Sequence, residues 1–409
     1  MTLHAPSRRE VLLASGTLFA WAHLPGIARA ESRDPRFLVI ILRGALDGLA
    51  AVAPVGDPDW VALRGDNALT PNSKVPPLKL NDFFALNPAM PSLHKMFTAN
   101  EAIIVHACAT PYRERSHFDG QDLLESGLPK VAPSDSGWLN RALATLAPGG
   151  RVDPKGARVF AVGPVTPLIA RGTAPILSWS PQQIAPASDD TLARLQDLYR
   201  HTDVKLASVL EDNSKLTAIE HAGDMANGMA RKPSPAQARA YFSDAAGNAA
   251  KFLAQPDGPR VGALALDGWD THVNEGIASG RLSQLLGSLD DALAAVKVNM
   301  GPAWKDTVVV LATEFGRTAH INGTDGTDHG TATVSLLVGG ALKGGRVIAD
   351  WPGLKPANLY ENRDLKPTTD LRAVIKGLLQ DHLRADERAL AQNVFPGSDA
   401  IKPMAGLIA

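Results

Sequence analysis

The sequence contains one cysteine, few aromatic residues and almost no net charge, and each shortage restricts the bonds or binding sites to be expected. Because Cys108 is the only cysteine among 409 residues, no disulfide can form within the chain. Aromatic residues make up 5% of the chain, so there is no obvious aromatic cluster for holding a carbohydrate chain. The formal net charge is −1 and no basic stripe is present, which argues against a nucleic-acid partner. After the first 30 residues, no apolar run approaches the length of a membrane span.

The first 30 residues resemble a bacterial twin-arginine export signal. The motif Ser7-Arg8-Arg9-Glu10 precedes an apolar stretch from Val11 to Leu24, and Ala28-Arg29-Ala30 matches a small-residue cleavage site. A membrane anchor is the alternative, but the apolar stretch is short and Pro25 follows it directly. We therefore expect a signal peptide over 1–30, a mature domain over 31–409, and a periplasmic or secreted location. The signal holds three arginines and one glutamate, so its removal lowers the net charge from −1 to −3.

Short apolar runs rich in β-branched residues alternate with segments of helical periodicity along most of the chain. This alternation predicts an α/β fold in which a mostly parallel central sheet carries helices on both faces. Ser188 to Gln255 has an almost wholly helical sequence pattern, with a break at Lys232-Pro-Ser-Pro235. We expect a helical insertion there, which either covers one sheet face, the favoured interpretation, or caps the site. The predicted strands are 37–42, 102–107, 157–162, 261–266, 307–311 and 333–338, and the predicted helices are 91–98, 137–146, 282–298 and 369–379.

The loop after the strand 307–311 holds the most informative polar residues. In open α/β sheets, ligands bind at the carboxyl ends of the strands. Glu314 and Arg317 follow this strand, and Asp328 and His329 stand on a Gly-rich stretch beyond them. Glu314 can ligate a metal, whereas Arg317 can hold an oxyanion through two hydrogen bonds or simply pair with Glu314. Asp328 and His329 can complete the set of metal ligands.

Two further loops offer metal ligands at strand ends. Asp270 and His272 follow the strand 261–266, and Asp47 follows the first strand. A carboxylate with an imidazole suits Zn²⁺, Mn²⁺ or Fe, whereas Ca²⁺ and Mg²⁺ prefer oxygen ligands alone. Asp47 precedes a glycine and can equally belong to an ordinary turn. The loops therefore predict a divalent metal site that includes Asp270 and His272, with Asp47 as a further candidate.

A fourth loop places a serine where the chain passes into a helix. Ser116 precedes His117 and lies close to Arg113 and Arg115. A helix N-terminus favours anions through its free N–H groups and its dipole, so Ser116 can act as a nucleophile toward a phosphorus or sulfur centre. The alternative is an N-capping pair formed by Ser116 and Asp119.

These loops resemble the motifs of the DUF1501 family, whose members are bacterial exported proteins of unassigned function. The family is similar in turn to the alkaline phosphatase and sulfatase superfamily, in which a nucleophile at a helix N-terminus works beside one or two divalent metals. The resemblance runs from about Phe37 to Leu379. The matching motifs are Arg43-Gly-x-x-Asp47-Gly, Arg115-Ser-His-Phe-Asp119-x-Gln121-Asp, Gly268-Trp-Asp270-Thr-His272, Glu314-Phe-Gly-Arg317-Thr and Gly326-Thr-Asp328-His329-Gly.

The resemblance implies roles for individual residues. Ser116 corresponds to the nucleophile, and Glu314-Phe315 stands where the superfamily carries an Asp-His pair. One histidine ligand is therefore missing, which favours one metal ion over two and leaves Zn, Mn, Ca or Mg open. Cys108 begins a stretch similar to the sulfatase C-x-P-x-R motif with one extra residue. A formylglycine at Cys108 is thus a minor alternative to a buried strand cysteine. The implied ligands are Asp47, Asp270, His272, Glu314, Asp328 and His329.

We predict a metal-dependent hydrolase of phosphate or sulfate esters. Ser116 would be the nucleophile, His117 the acid for the leaving group, and Arg317 the stabiliser of developing charge. One alternative is a non-catalytic binding or assembly protein on an inherited hydrolase fold, with a partner from the DUF1800 family. Another is metal-assisted hydrolysis of a polymer ester or amide by the same ligands. Fold alone cannot decide among them.

Overall fold

Nine strands of the described chain form one large sheet, and three short strands form a second. The computed structural model describes residues 33–146, 159–163, 165–180, 199 and 235–409. The strands of the large sheet are β1 (Arg36–Arg43), β5 (Ala102–Ala109), β6 (Val159–Val162), β7 (Ile176–Trp179), β8 (Val261–Asp267), β9 (Thr307–Ala312), β10 (Thr333–Val338), β11 (Arg346–Ile348) and β12 (Thr369–Asp370). They are arranged in the order β11-β5-β10-β9-β1-β8-β6-β7, with β12 also paired to β5. The small sheet contains β2 (Val52–Ala53), β3 (Leu78–Lys79) and β4 (Ala85–Leu86).

The large sheet is parallel except at one strand. β1 pairs in parallel with β8 and β9, whereas β10 is antiparallel to both β5 and β9. The loop from Thr313 to Ala332 leaves β9 and returns into β10 at the same edge, so β10 must run backward. The carboxyl ends of β1, β5, β8 and β9 therefore share one edge with the start of β10. This confirms the predicted α/β class and brings the four candidate loops to one side of the sheet.

Helices cover both faces of the large sheet, as predicted. Alternate residues of β1 enter two different hydrophobic cores, with Leu38 and Ile40 in the first and Phe37 and Val39 in the second. The described helices are α1 (Gly48–Ala51), α2 (Trp60–Arg64), α3 (Pro91–Thr98), α4 (His117–Ser126), α5 (Trp138–Thr145), α6 (Pro235–Ala254), α7 (Arg281–Met300), α8 (Leu371–Leu383) and α9 (Glu387–Ala389). Side chains of α3, α6 and α7 pack into the first core, and side chains of α5 and α8 pack into the second.

The helix predicted over 369–379 begins two residues later than the sequence pattern indicates, at Leu371. Thr369 and Asp370 pair with the end of β5 as the short strand β12. Asp370 then caps α8, because its side chain accepts a hydrogen bond from the backbone N–H of Arg372. The pairing with β5 therefore takes precedence over helical periodicity at this boundary.

Several predicted segments lie wholly or partly outside the described residues. These are the signal at 1–30, positions 157 and 158 of one predicted strand, and most of the predicted insertion, including its break at 232–234. Of that insertion, the helix α6 packs against α7 and contributes Phe242 and Leu253 to the first core, so α6 covers a sheet face. Among the described helices, none combines the length and apolar character that a membrane crossing requires.

Candidate metal centre

The carboxyl edge of the sheet brings the loops after β1, β8 and β9 into direct contact. Gly44 has a φ of +118°, and a Cβ there would lie 2.5 Å from the backbone nitrogen of Asp270. Only glycine permits both this backbone conformation and this close approach. The N–H of Gly44 donates to Glu314 Oε1 at 2.9 Å. The loop after β1 therefore supports the other two loops through its backbone.

Three histidine side chains converge on one oxygen of Asp270. The Nε2 atoms of His272, His329 and His117 lie 3.0, 3.5 and 3.6 Å from Asp270 Oδ1. The Nε2 atoms of His272 and His329 are 2.9 Å apart. Ligand atoms of His117, Asp270 and His329 all lie within 4.8 Å of one another, close enough to hold one metal ion. These side chains come from three separate parts of the chain.

Each of the three imidazoles is oriented by a contact to its other ring nitrogen. His117 Nδ1 lies 2.8 Å from Glu314 Oε1, and His272 Nδ1 lies 3.3 Å from Asp328 Oδ1. His329 Nδ1 donates to the backbone carbonyl of Arg115 at 2.8 Å. A carboxylate or carbonyl oxygen only accepts, so the proton belongs on Nδ1 and the Nε2 lone pair faces the cluster. Contacts of this kind typically orient metal-ligating histidines.

His117 supplies an independent sign that a ligand belongs in the cluster. Its Nε2 is buried and has no hydrogen-bond partner. Its ring stacks on Phe315, with centroids 5.1 Å apart and planes inclined by 26°. A buried polar atom without a partner costs free energy, and a metal ion at this position would satisfy it.

The acidic groups around the cluster are held in their charged form. Burial acts to raise the pKa of Glu314, but hydrogen bonds from His117 and Gln121 lower it overall. Burial likewise opposes ionisation of Asp270, yet the hydrogen bond and charge of Arg317 lower the pKa of that carboxyl. The pKa of His117 is raised, chiefly by its hydrogen bond to Glu314, while burial lowers the pKa of His329. The site thus combines two carboxylates with imidazoles of unequal basicity.

Arg317 is a buried partner of Asp270. Its Nη1 donates to Asp270 Oδ1 at 2.7 Å, its Nε donates to Thr327 Oγ1 at 3.1 Å, and its Nη2 donates to the carbonyl of Thr327. The Arg317 side chain is 0% exposed. Of the two sequence interpretations, an oxyanion contact or a pair with Glu314, neither matches these contacts, because Arg317 instead fixes the position of Asp270.

His117, His329 and Asp270 offer two imidazole nitrogens and one carboxylate oxygen that are mutually close, and His272 Nε2 lies beside two of these three, Asp270 and His329. Imidazole nitrogen suits Zn²⁺, Mn²⁺ and Fe, whereas Ca²⁺ and Mg²⁺ take oxygen ligands. With the orphaned Nε2 of His117 and the oriented Nδ1 atoms, the residues present fit a single divalent transition-metal ion. Zn and Mn therefore match this cluster better than Ca or Mg do.

Two predicted ligands lie behind the histidines. Glu314 is fully buried, and its Oε1 accepts from His117, Gln121 and Gly44. Asp328 accepts from His272 Nδ1 and from Asn322 Nδ2 at 3.2 Å. In this arrangement each carboxylate orients a histidine rather than facing the cluster itself.

Asp47 lies apart from the cluster, in a buried ion pair. Its Oδ2 accepts from Arg64 Nη1 at 2.6 Å, and its Oδ1 accepts from Arg64 Nη2 at 3.0 Å. Oδ1 also caps α1 by accepting from the backbone N–H groups of Leu49 and Ala50. The side chains of Arg64 and Asp47 are 0% and 1% exposed. Arg64 thus engages both oxygens of Asp47, and no described hydrogen bond or ion pair joins Asp47 to the three histidines.

Ser116 occupies the N-cap position of α4, but its hydroxyl forms no capping hydrogen bond. Its backbone N–H donates to Tyr112 Oη at 3.1 Å, and Tyr112 Oη also lies 3.4 Å from Asp119 Oδ2. Asp119 is therefore engaged by Tyr112, and the capping pair with Ser116 does not form. The serine side chain stands directly before His117 at the start of the helix.

Three residues that support the cluster, Gln121, Glu275 and Thr327, were not identified as such from the sequence. Gln121 donates to Glu314 Oε1 at 3.1 Å and is one of the residues in the quoted motif, so its spacing was an available signal. Glu275 accepts from Thr271 Oγ1 at 2.7 Å and from Thr327 Oγ1 at 3.3 Å. Burial, with the charge of Asp47, raises the pKa of Glu275 to about 8. Thr327 lies within the motif Gly326-Thr-Asp328-His329-Gly, whereas nothing in the local sequence marks Glu275, whose contact with Thr327 spans 52 residues of the chain.

Cys108 lies in β5 within the second core and is 2% exposed. Burial raises the pKa of its thiol, which keeps it in the neutral form. This environment suits a small hydrophobic side chain.

The fold and the cluster define a mixed α/β protein with a histidine–carboxylate centre at the carboxyl edge of its sheet. The chain belongs to the DUF1501 family, described as proteins of unknown function, whose model matches residues 34–394. Among curated proteins, none matches the sequence.

Solved structures similar to this chain include members of the alkaline phosphatase superfamily. A protein of that superfamily from Vibrio parahaemolyticus is 12% identical with a TM-score of 0.40, covering 91% of this chain and 71% of its own. The phosphonate monoester hydrolase of Agrobacterium radiobacter is 12% identical with a TM-score of 0.33, covering 76% and 70%. A sulfatase from Pseudoalteromonas sp. is 11% identical with a TM-score of 0.34, covering 84% and 68%.

Proposed function

We propose that this protein is an exported, metal-dependent hydrolase of phosphate or sulfate esters. The observation that carries the proposal is the convergence of three histidine Nε2 atoms on Asp270 Oδ1 at 3.0 to 3.6 Å. Such a set at the carboxyl ends of parallel strands is where an α/β protein places its ligand site. The twin-arginine motif at Arg8 and Arg9 supports export.

One metal ion would be held by His117, Asp270, His272 and His329. When bound, it would supply Lewis-acid polarisation of an ester oxygen. The side chains behind the ligands keep this geometry. Glu314, Asp328 and the Arg115 carbonyl each hold an imidazole at Nδ1, and Arg317 holds Asp270.

Ser116 is the proposed nucleophile. Its oxygen would attack the phosphorus or sulfur atom in line, forming a covalent serine ester while the bond to the leaving alkoxide breaks. The proton of the serine hydroxyl would pass through water to this alkoxide, which departs as the alcohol. Water would then hydrolyse the serine ester and regenerate the hydroxyl. Ser116 stands at the N-terminus of α4, whose free N–H groups and dipole favour the negative charge that develops.

For His117 and Arg317 we propose roles that differ from those the sequence suggests. A neutral imidazole has one lone pair, so His117 cannot ligate a metal through Nε2 and also carry a proton there for the leaving group. Its contact with Glu314 favours the ligand role. Arg317 is buried against Asp270, so we assign it to positioning this carboxylate rather than to the oxyanion.

Replacement of the serine tests the proposal. Wild type, Ser116→Ala and the control Ser283→Ala, a serine on α7, are compared on phosphate and sulfate esters after metal loading. We expect Ser116→Ala to lose turnover while it retains the metal, and Ser283→Ala to match wild type. Full activity in Ser116→Ala would remove Ser116 from the mechanism. No turnover by wild type, with a stable complex formed with a co-expressed DUF1800 protein, would favour the binding or assembly role.

A further inference from the structure

A cavity of about 470 Å³ is lined by Gln121, a residue of helix α4 that also contacts the surroundings of the metal centre. This volume falls within the range of about 300–1,000 Å³ that is usual for small-molecule sites. Gln121 lines the cavity and also donates to Glu314 Oε1 at 3.1 Å, the same oxygen that holds His117. Gln121 and Glu314 therefore stand in sequence between the cavity and His117.

Helix α4 begins at His117 of the metal centre and continues along the wall of the cavity. Gln121, Asp122 and Glu125 line the cavity, and Phe118 precedes them at a spacing of i, i+3, i+4 and i+7. Residues at this spacing share one face of a helix. Phe118 therefore stands about one turn from the cavity wall, directly after His117 in the chain.

Phe118 is the most exposed large hydrophobic side chain in the described part of the chain, at 84%. Its ring packs into neither hydrophobic core. An aromatic face in this position is available to a ligand that extends from the metal centre toward the cavity. Aromatic rings bind apolar or C–H-rich surfaces well because of their large area and their partially negative faces.

The charged groups of the cavity balance each other. Arg43 pairs with Glu125 at 2.5 Å, which leaves Arg171 and Asp122 as the exposed charges. One cation and one anion on the lining suit a ligand that both donates and accepts hydrogen bonds and carries no net charge there. A charged group on this part of the ligand, in addition to the ester, would meet repulsion from either Arg171 or Asp122.

We propose that Phe118 and this cavity bind the organic part of the ester, and that this part is a saccharide. Its ring would pack on Phe118, while Arg171 and Asp122 would contact its hydroxyl groups. This inference rests on the proposed function only in that the bound saccharide would carry the ester, and its binding can be measured without turnover.

The first test measures binding alone. Saturation-transfer NMR on the purified metal-loaded protein uses glucose, galactose and maltose as probes, with cyclohexanol as a ring of similar size that has one hydroxyl. The variants are Phe118→Ala, Arg171→Ala and the control Val298→Ala, which removes a 78% exposed side chain on α7. We expect at least one saccharide to bind wild type and Val298→Ala equally, and to bind the other two variants about fivefold or more weakly. Cyclohexanol should bind more weakly than that saccharide.

Three results would overturn the inference. They are an absence of saccharide binding to wild type, unchanged binding in Phe118→Ala and Arg171→Ala, or binding of cyclohexanol as strong as that of the saccharides. A parallel assay of ester hydrolysis separates this failure from failure of the proposed function. Saccharide binding without hydrolysis of any ester would contradict the proposed hydrolase activity and support the saccharide site. Hydrolysis without saccharide binding would support the hydrolase activity and contradict the saccharide site.

Discussion

Glu314 determines which nitrogen of His117 is free. Its Oε1 lies 2.8 Å from His117 Nδ1 and also accepts from Gln121 and Gly44. These contacts fix the carboxylate, and the carboxylate fixes the imidazole. At the scale of single residues, the candidate site is thus a set of ligands whose directions are set by a second layer of hydrogen bonds.

The change Glu314→Gln tests this second layer. A glutamine keeps the size of the side chain but removes the charge that holds the proton of His117 on Nδ1. We expect metal affinity to fall about 10- to 100-fold, as is typical when such a partner is lost. Competition with a chelator measures the dissociation constant of the metal. The change Glu387→Gln on α9 serves as a control, because the one described ion pair of Glu387 is with Lys402, away from the cluster. Equal affinity in Glu314→Gln and wild type would show that Glu314 does not orient a ligand.

Asp47 makes a different prediction, because it pairs with Arg64 instead of facing the histidines. Removal of one member of a buried ion pair leaves the other charge without a partner, which typically costs about 3–5 kcal/mol. We expect Asp47→Asn to lower the free energy of unfolding by about that amount while the purified protein keeps its metal content. Urea denaturation and elemental analysis measure the two quantities. Loss of metal without loss of stability would restore Asp47 as a ligand.

At the scale of elements, β5 carries a buried histidine that depends on being neutral. His106 is fully buried, its Nε2 donates to the carbonyl of Val52 at 3.0 Å, and its Nδ1 accepts from the N–H of Ala107 at 2.8 Å. Phe84 stacks on its ring, with centroids 5.2 Å apart. Burial lowers the pKa of His106 to about 4. A proton on Nδ1 would break the bond to Ala107 and place a charge in the core.

The free energy of unfolding should therefore decrease as the pH is lowered, because His106 must be neutral in the folded state. The folded-state pKa lies below the unfolded value of about 6.5, so its contribution is complete above pH 6.5 and is lost as pH falls toward 4. Linkage over this window amounts to about 3 kcal/mol. We expect His106→Gln, measured by urea unfolding in the presence of chelator, to lack this part of the pH dependence. An identical pH slope in the variant and wild type would contradict the assignment.

The loops at the strand ends show how far sequence reasoning reaches at this scale. Asp270, His272 and His329 follow from residue type and from their position after buried strands, because parallel strands bring such loops to one edge. The roles of Glu314 and Arg317 do not follow, since a carboxylate or guanidinium can face the metal or support a ligand equally well. That choice depends on which partner lies within 3 Å, and the partners, His117 and Asp270, are distant in sequence.

At the scale of the whole molecule, the sheet was largely predictable. The buried strands β1, β5, β8 and β9 are apolar and β-branched, and their alternation with helices predicts parallel neighbours. The antiparallel direction of β10 was not predictable from its composition. A fully buried strand has the same composition in either direction, and only the path of the loop from Thr313 to Ala332 decides it.

For the whole chain, the first 30 residues predict export by the twin-arginine route. We expect the double change Arg8→Lys and Arg9→Lys to retain the precursor in the cytoplasm, because the twin-arginine pathway recognises this pair. Fractionation of cells followed by immunoblotting measures the precursor and the mature form. The change Lys232→Arg, which preserves charge outside the signal, provides the control. Normal export of the double variant would contradict a twin-arginine signal.

Elemental analysis tests whether three histidines and Asp270 hold one metal ion. The protein would be purified without chelator, in parallel with Asp270→Ala and His329→Ala. We expect one equivalent of a divalent transition metal in wild type and loss of this metal in both variants while they remain folded. A folded wild-type protein without metal, even after incubation with Zn²⁺ or Mn²⁺, would contradict it.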